Sequence, residues 1–254
     1  MYTPRKELGQ NFLTDRQVAR KMVSALELSP GDEIVEIGAG LGAVTEELVE
    51  QAVSDGIIIH AVEIDIRFIE TLKNMFLDNM NVDIVEANII DWLPTFRSQK
   101  SFKVIGSLPY YITSPIIHTI VEMEKRPEVC VFLIQKEVAD KIASQPPDAS
   151  YMSSFIQTFY NVEYVGKVPK GMFHPSPKVD GGIIKMAGKS DLLIPDDRIK
   201  SYKGFLHRVF ASPRKKLNKV LNKEELEITV IDGNLRPQNI GPELWAAAYD
   251  VIGQ

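Results

Sequence analysis

Glu36-Ile37-Gly38-Ala39-Gly40-Leu41-Gly42 closes the apolar run Glu33 to Ile37 and leads into a stretch where Val44, Leu48, Val49 and Ala52 recur at helical spacing. A strand, a glycine turn and a helix in that order bring the backbone close to a ligand and aim the peptide N–H groups of the helix start at it. Gly38, Gly40 and Ala43 satisfy the spacing of a dinucleotide site, while Glu36, Gly38, Gly40 and Gly42 satisfy that of an S-adenosylmethionine site. Either one implies an α/β fold whose sheet is covered by helices on both faces, with the ligand at the C-terminal edge of the strands.

The stretches that follow keep that alternation. Ile57 to Val62 reads as a second strand and ends at Glu63-Ile64-Asp65, the distance at which an acidic residue meets a ribose; Glu63 is expected to accept from both ribose hydroxyls. Ile66, Ile69, Leu72 and Phe76 are expected on the inner side of the next helix. A strand from Val82 to Val85 leads to Asn88, whose side-chain oxygen can accept from an adenine amino group. Lys103-Val104-Ile105-Gly106 then runs into Ser107-Leu108-Pro109-Tyr110. A serine, asparagine or aspartate followed by two residues and an aromatic resembles the catalytic loop of methyltransferases that act on nucleobase amino groups. Ser114-Pro115 is expected to start a helix, Val129 to Gln135 to form a buried strand, and Lys136 to about Ser144 a further helix.

Gln145-Pro146-Pro147-Asp148 marks a break, and an amphipathic segment spans Met152 to Tyr160. Strands are expected near Val162 to Val168 and from Gly182 to Met186. Between them Pro169, Pro175 and Pro177 stiffen a loop that carries Phe173, either exposed for stacking on a base or packed into the core. Ala187-Gly188-Lys189-Ser190 reads as a linker, so the chain is expected to divide into residues 1–188 and a helical domain, 189–254. In the latter, Ile199, Tyr202, Leu206 and Val209 stripe one helix, Ser212-Pro213 is expected to start another, and Pro242 to Ile252 a last one. At the other end, Lys6 to Leu13 precedes a helix capped near Asp15 with Val18, Met22, Val23 and Leu26 on one side.

Composition narrows the classes. With 254 residues, 44% hydrophobic and 25% charged, the chain reads as globular. It has no apolar run near the roughly 18 residues that span a bilayer, and the stretch Met1 to Gln10 lacks a signal-peptide core, so a cytoplasmic location is expected. The single cysteine, Cys130, excludes disulfides within the chain, and the four histidines lack metal-ligand spacing. The net charge of −5 is unevenly placed: Arg198 to Lys223 holds nine Lys or Arg and no Asp or Glu, so it carries +9 and the remainder −14. Counterion release is local to such a patch, which suits phosphate binding even on an acidic protein.

Together the motifs resemble one family, the ribosomal RNA adenine N6,N6-dimethyltransferases, the group of the kasugamycin-sensitivity enzyme and the erythromycin-resistance methylases. The resemblance runs through Gly9-Gln10-Asn11-Phe12-Leu13, Glu36 to Gly40, Glu63-Ile64-Asp65, Leu108-Pro109-Tyr110, Gln135 to Ala139, Phe173 to Asp180 and Phe210 to Leu221. It implies a Rossmann-like methyltransferase sheet plus a small all-helical C-terminal domain, with S-adenosylmethionine held by Gln10, Asn11, Leu13, Glu36, Gly38, Gly40, Glu63, Ile64, Asn88 and Ser107. It implies catalysis by Ser107, Leu108, Pro109, Tyr110 and Phe173, the two aromatics holding a flipped adenine, and no metal. RNA contacts are expected from Arg208, Arg214, Lys215, Lys216 and Lys219.

The implied substrate is two adjacent adenosines near the 3′ end of small-subunit rRNA in an assembling ribosomal subunit, and the implied enzyme is a monomer. Two positions depart from the family's pattern, which has aspartate in place of Asn88 and asparagine in place of Ser107. Three other readings compete. A resistance-type methylase of large-subunit RNA would be strongly basic, unlike this chain. A non-catalytic assembly or RNA-binding factor would explain the two departures. An NAD-dependent oxidoreductase would leave Tyr110, Phe173 and the basic segment without a role.

Overall fold

The computed structural model describes residues 4, 5, 9–52, 56–109 and 111–253. The chain forms two compact units, residues 1–139 with 163–187, and residues 140–162 with 188–254. The strands, all in the first unit but for the start of β7 and the end of β9, are β1 (Phe12–Leu13), β2 (Glu33–Ile37), β3 (Ile58–Glu63), β4 (Val82–Glu86), β5 (Phe102–Ser107), β6 (Val129–Gln135), β7 (Tyr160–Val168), β8 (Phe173–His174) and β9 (Gly181–Gly188). Seven of them form one sheet in the order β4-β3-β2-β5-β6-β9-β7, parallel from β4 to β6, with β9 antiparallel to β6. The strand order reverses between β2 and β5, which is where open sheets of this kind bind ligands.

Alternating residues of the central strands are buried on both faces: Ile34 and Ile105 point one way and Val35 and Val104 the other, and all four have no solvent exposure. A parallel strand buried on both sides needs such continuous apolar runs. The helices are α1 (Arg16–Ala25), α2 (Ala43–Ala52), α3 (Ile66–Met75), α4 (Ile89–Trp92), α5 (Thr113–Glu122) and α6 (Lys136–Ala143). Met22, Val23 and Leu26 at the end of α1 and Val44 and Leu48 of α2 share one core with Ile34 and Ile105.

One local expectation holds and two shift. Asp15 caps α1 as expected, its side chain accepting from the Val18 amide. On α3, however, Ile66 is 63% exposed, and the buried side is Phe68, Ile69, Leu72 and the following Phe76. Ile66 is the first residue of that helix, where the chain still leaves the sheet edge. α5 begins at Thr113, not at the Ser-Pro pair, because the Thr113 hydroxyl and the Ile112 amide both return to the Pro109 carbonyl.

In the second unit α7 (Tyr151–Gln157), α8 (Ile199–Phe210), α9 (Lys223–Thr229) and α10 (Pro242–Ile252) enclose Trp245, Tyr202 and Phe155. Residues 140–162 belong to this unit, whereas a division at 188 would leave them with the first. Burial draws them there: the Thr158 hydroxyl bonds to Tyr202 at 2.9 Å, and Tyr151 stacks on His207 at 4.1 Å. The helix expected from Ser212 does not form. The Leu217 and Asn218 amides bond to the carbonyls of Leu235 and Gly233, at 2.8 and 2.9 Å, so they are withdrawn from a helical ladder and only a 3₁₀ turn, Leu217–Lys219, remains.

At the reversal of strand order, Gly106 lies opposite Ile37. A Cβ on Gly106 would stand 2.7 Å from the Ile37 carbonyl oxygen, a backbone atom that cannot swing aside. Gly106→Ala is therefore expected to lower stability by about 1–3 kcal/mol, read as a shifted midpoint in urea unfolding.

Candidate active site

A cavity opens where β2, β3 and β5 end. Residues 9–13, 36–41, Glu63, Ile64, Asn88, Ser107, Leu108, Pro109 and Phe173 line it. The structure thus brings the sequence-derived candidates of the first unit to one place, apart from Tyr110, which lies outside the described residues.

Glu63 organises the floor. Its Oε1 accepts from the amides of Ile64 and Asp65, at 2.9 and 2.8 Å, and its Oε2 from the amide of Gly40 at 2.8 Å. Burial pushes its carboxyl pKa up, against the pull of these backbone bonds. Three of the roughly four acceptor positions of this carboxylate are thus taken by backbone amides. Glu36, buried beside it, accepts from the Thr45 hydroxyl at 2.6 Å. Desolvation, reinforced by the charge of Glu63, pushes its pKa up to about 7.

Gly38 turns at φ +71°, and where its Cβ would stand there is no other atom within 4 Å, so the glycine turn is an open cradle. Asn88 lines the same cavity and caps α4: its oxygen accepts from the Ile90 amide at 3.2 Å and its amide donates to Asp91 at 2.8 Å. Those two partners fix which way the carboxamide faces and leave a lone pair on the oxygen for an amino group. Along the strand order from β4 to β2 the Asn88 acceptor, the Glu63 carboxylate and the glycine cradle follow one another, and they fit the adenine, ribose and chain of S-adenosylmethionine.

Ser107 is the last residue of β5, half-buried at the cavity edge, and the Leu108 amide is fixed by the Leu133 carbonyl at 2.9 Å. Phe173 reaches this edge through a pairing the sequence does not announce. β1 and β8 run antiparallel with Leu13 opposite Phe173, and the Thr14 amide and hydroxyl both donate to the Met172 carbonyl, at 2.9 and 3.0 Å. Phe173 is consequently buried, 8% exposed, rather than presented openly, yet it still lines the cavity. Asp180 anchors the same loop by accepting from the Lys170 amide and from Lys167, at 3.0 and 2.8 Å, and the bond from Lys167 holds its pKa down.

Sequence reasoning missed Tyr111, which lines the cavity and is 59% exposed, and Phe12, which stands against Gly40. In the second unit Arg214, Lys215, Lys216 and Lys219 share the segment around the 3₁₀ turn. Arg208 instead bonds Glu225 at 2.7 Å. Arg236, outside the basic run, joins the segment by donating to the Arg214 carbonyl at 2.9 Å. Among the described residues no group of three or more His, Cys, Asp or Glu is placed to hold a metal, and no helix is long and apolar enough to cross a membrane.

The sheet order, the glycine cradle and the acid after β3 define a Rossmann-like S-adenosylmethionine-dependent methyltransferase, and solved structures share its fold. The 23S rRNA methyltransferase ErmE superposes with a TM-score of 0.76 at 24% identity, covering 96% of this chain and 100% of that one. A dimethyladenosine transferase from Plasmodium falciparum superposes at 0.79 and 22% identity, covering 95% and 98%. The family model "Ribosomal RNA adenine dimethylase" matches residues 1–252, and the chain belongs to that family, whose methyl donor is S-adenosylmethionine. Curated relatives named ribosomal RNA small subunit methyltransferase A include one from Sulfurihydrogenibium sp. (strain YO3AOP1), 34% identical over 98% of this chain and 96% of its own. Another, from Marinobacter nauticus, is 33% identical over 98% and 91%.

Glu36 yields a pH prediction. A carboxyl whose pKa rises from 4.5 unfolded to about 7 folded binds its proton more tightly in the folded state. Its contribution is full below 4.5 and is lost as pH rises through 7, by up to about 3 kcal/mol. Urea unfolding of Glu36→Gln across that range is expected to show a shallower fall in stability with pH than the parent protein.

Proposed function

We propose that this enzyme dimethylates the N6 of two adjacent adenosines near the 3′ end of small-subunit rRNA, in an assembling subunit and as a monomer. The observation that carries the reading is the convergence, on one cavity edge, of Ser107-Leu108-Pro109 with Phe173 beside the Glu63–Gly40 floor. The relatives named for the small-subunit enzyme support it over a resistance-type methylase: they match at 33–34% identity along nearly the whole chain, whereas the 23S enzyme is similar in fold.

Bound S-adenosylmethionine supplies an electrophilic methyl group on a sulfonium. Glu63, Asn88, Gly38 and Gly40 would hold it, with Gln10, Asn11, Leu13, Glu36, Ile64 and Ser107 around it. The adenine amino nitrogen is a weak nucleophile because its lone pair is delocalised into the ring. The Ser107 oxygen and the Leu108 carbonyl would accept hydrogen bonds from its N–H groups as it becomes pyramidal, and their fixed placement at the end of β5 saves reorganisation during the reaction. The proton made acidic by methyl transfer would leave to solvent. Flipping the base out of its stack costs a few kcal/mol, offset by the expected stacking on Phe173 and Tyr110. Arg214, Lys215, Lys216 and Lys219 would bind phosphates, while Arg208 contributes less because Glu225 already accepts from it.

Methyl transfer from labelled cofactor to immature small subunits tests the substrate, with naked RNA and large subunits as controls; label on large-subunit RNA would overturn it. Ser107→Ala is expected to lower turnover about ten- to a hundredfold, with cofactor affinity little changed, and Ser107→Asn to preserve or raise it. Replacing Lys215 and Lys216 by glutamine should weaken RNA binding and reduce the slope of log affinity against log salt by about two.

A further inference from the structure

Residues 9–13 touch the turns after β2 and β3, the loop after β5 and the strand β8. Gly9 turns at φ +58°, and the position of its absent Cβ lies 3.3 Å from the Tyr111 ring and 3.4 Å from Pro109, so the backbone passes directly under the loop after β5. Phe12 packs edge-on against Phe68 at 5.4 Å and stands 3.4 Å from the corresponding position on Gly40. Between them Gln10 spends its carboxamide on the turn after β3. Its Nε2 donates to Asp65 Oδ2 at 2.7 Å, and its Oε1 accepts from Arg67 at 3.2 Å and from the Arg5 amide at 2.8 Å.

Asp65 is the hub of this arrangement. Its side chain has no solvent exposure and accepts from Arg67 Nε at 2.9 Å, while its own amide donates to Glu63 at 2.8 Å. One continuous chain of contacts therefore runs from the Glu63 carboxylate through Asp65 and Gln10 to Gly9 and on to Tyr111. The cap that Asp65 provides for α3 needs only one of its oxygens. The second is shared between Arg67 and Gln10, a residue 55 positions away in a segment that is also anchored by the two-residue pairing of β1 with β8.

We infer that Gln10 and Asp65 are positioning residues: their bond straps residues 9–13 across the cavity, so that retention of the methyl donor and the placement of Pro109 and Tyr111 depend on each other. The inference rests on the proposed assignment of this cavity to cofactor and base. Gln10 acts in it through Asp65 and Gly9, not as a direct ligand. The bond, part-buried in the strap, gains the strength of an ionised acceptor.

The test uses the full chain and the variants Gln10→Ala, Asp65→Ser and the double. Serine keeps a cap on α3 but is too short to reach Gln10. By calorimetric titration with S-adenosylmethionine, each single variant should bind about tenfold more weakly and the double no more weakly than the worse single. The KM for the donor should rise with them, while kcat at saturating donor falls less. In the free protein, hydrogen exchange should quicken both at residues 9–14 and at Tyr111–Ile112 in Gln10→Ala, with thermal unfolding unchanged. Wild-type affinity in both singles, losses that add in the double, or faster exchange confined to residues 9–14 would each overturn the strap. Failure of the parent protein to bind the donor would instead overturn the cofactor assignment, and the exchange measurement would still decide the strap.

Discussion

A carboxylate can be buried only where hydrogen bonds replace its water, and Glu63 meets that condition with three peptide N–H groups drawn from two turns. The bond from Gly40 joins the turn after β2 to the turn after β3, and the bonds from Ile64 and Asp65 fix the second turn upon itself. The glycine cradle, the capped start of α3 and the exposed Ile64 all take their places from this one group. Glu36 feels it as a repulsion: two carboxyl groups this close in a dry site do not ionise with equal ease, and Glu36 is the one that keeps its proton longer.

The second constraint is the crowding between β2 and β5. Parallel strands side by side at the reversal of strand order leave no room for a side chain at position 106, and the same closeness delivers Ser107 to the edge of the cradle. Ser107 is thus held in place by the sheet itself. Phe173 is different: it is borrowed from the far side of the chain by a ladder of two residue pairs and by Thr14.

What was legible in the sequence was whatever a local pattern carries. The glycine spacing from Gly38 to Gly42, the apolar strands, the cap at Asp15 and the stripe of Ile199, Tyr202, Leu206 and Val209 appear where periodicity and turn chemistry put them. What was not legible depended on distant partners. Nothing near Ser212 says that the amides of Leu217 and Asn218 will turn to Leu235 and Gly233. Nothing near Gln10 names Asp65, and Arg236 joins the basic segment from beyond the run of charges. The segment at 140–162 looks like a continuation of the first unit because its helical pattern is the same whichever core it enters; the burial of Thr158 against Tyr202 decides it. Phe173 fell between its two readings, since an aromatic can be buried and still face a cavity.

The bonds from Thr14 to Met172 span 158 positions of sequence. At the usual pace of translation, about 5–20 residues each second, the partner strand of Phe12 and Leu13 does not exist until roughly ten to thirty seconds after they are made. The parallel strands β2 to β6 can collapse in the order of their synthesis, but the wall of the cavity cannot. A growing chain therefore acquires a sheet well before it acquires a closed donor site, and the completion of that site reports that nearly the whole first unit has been made.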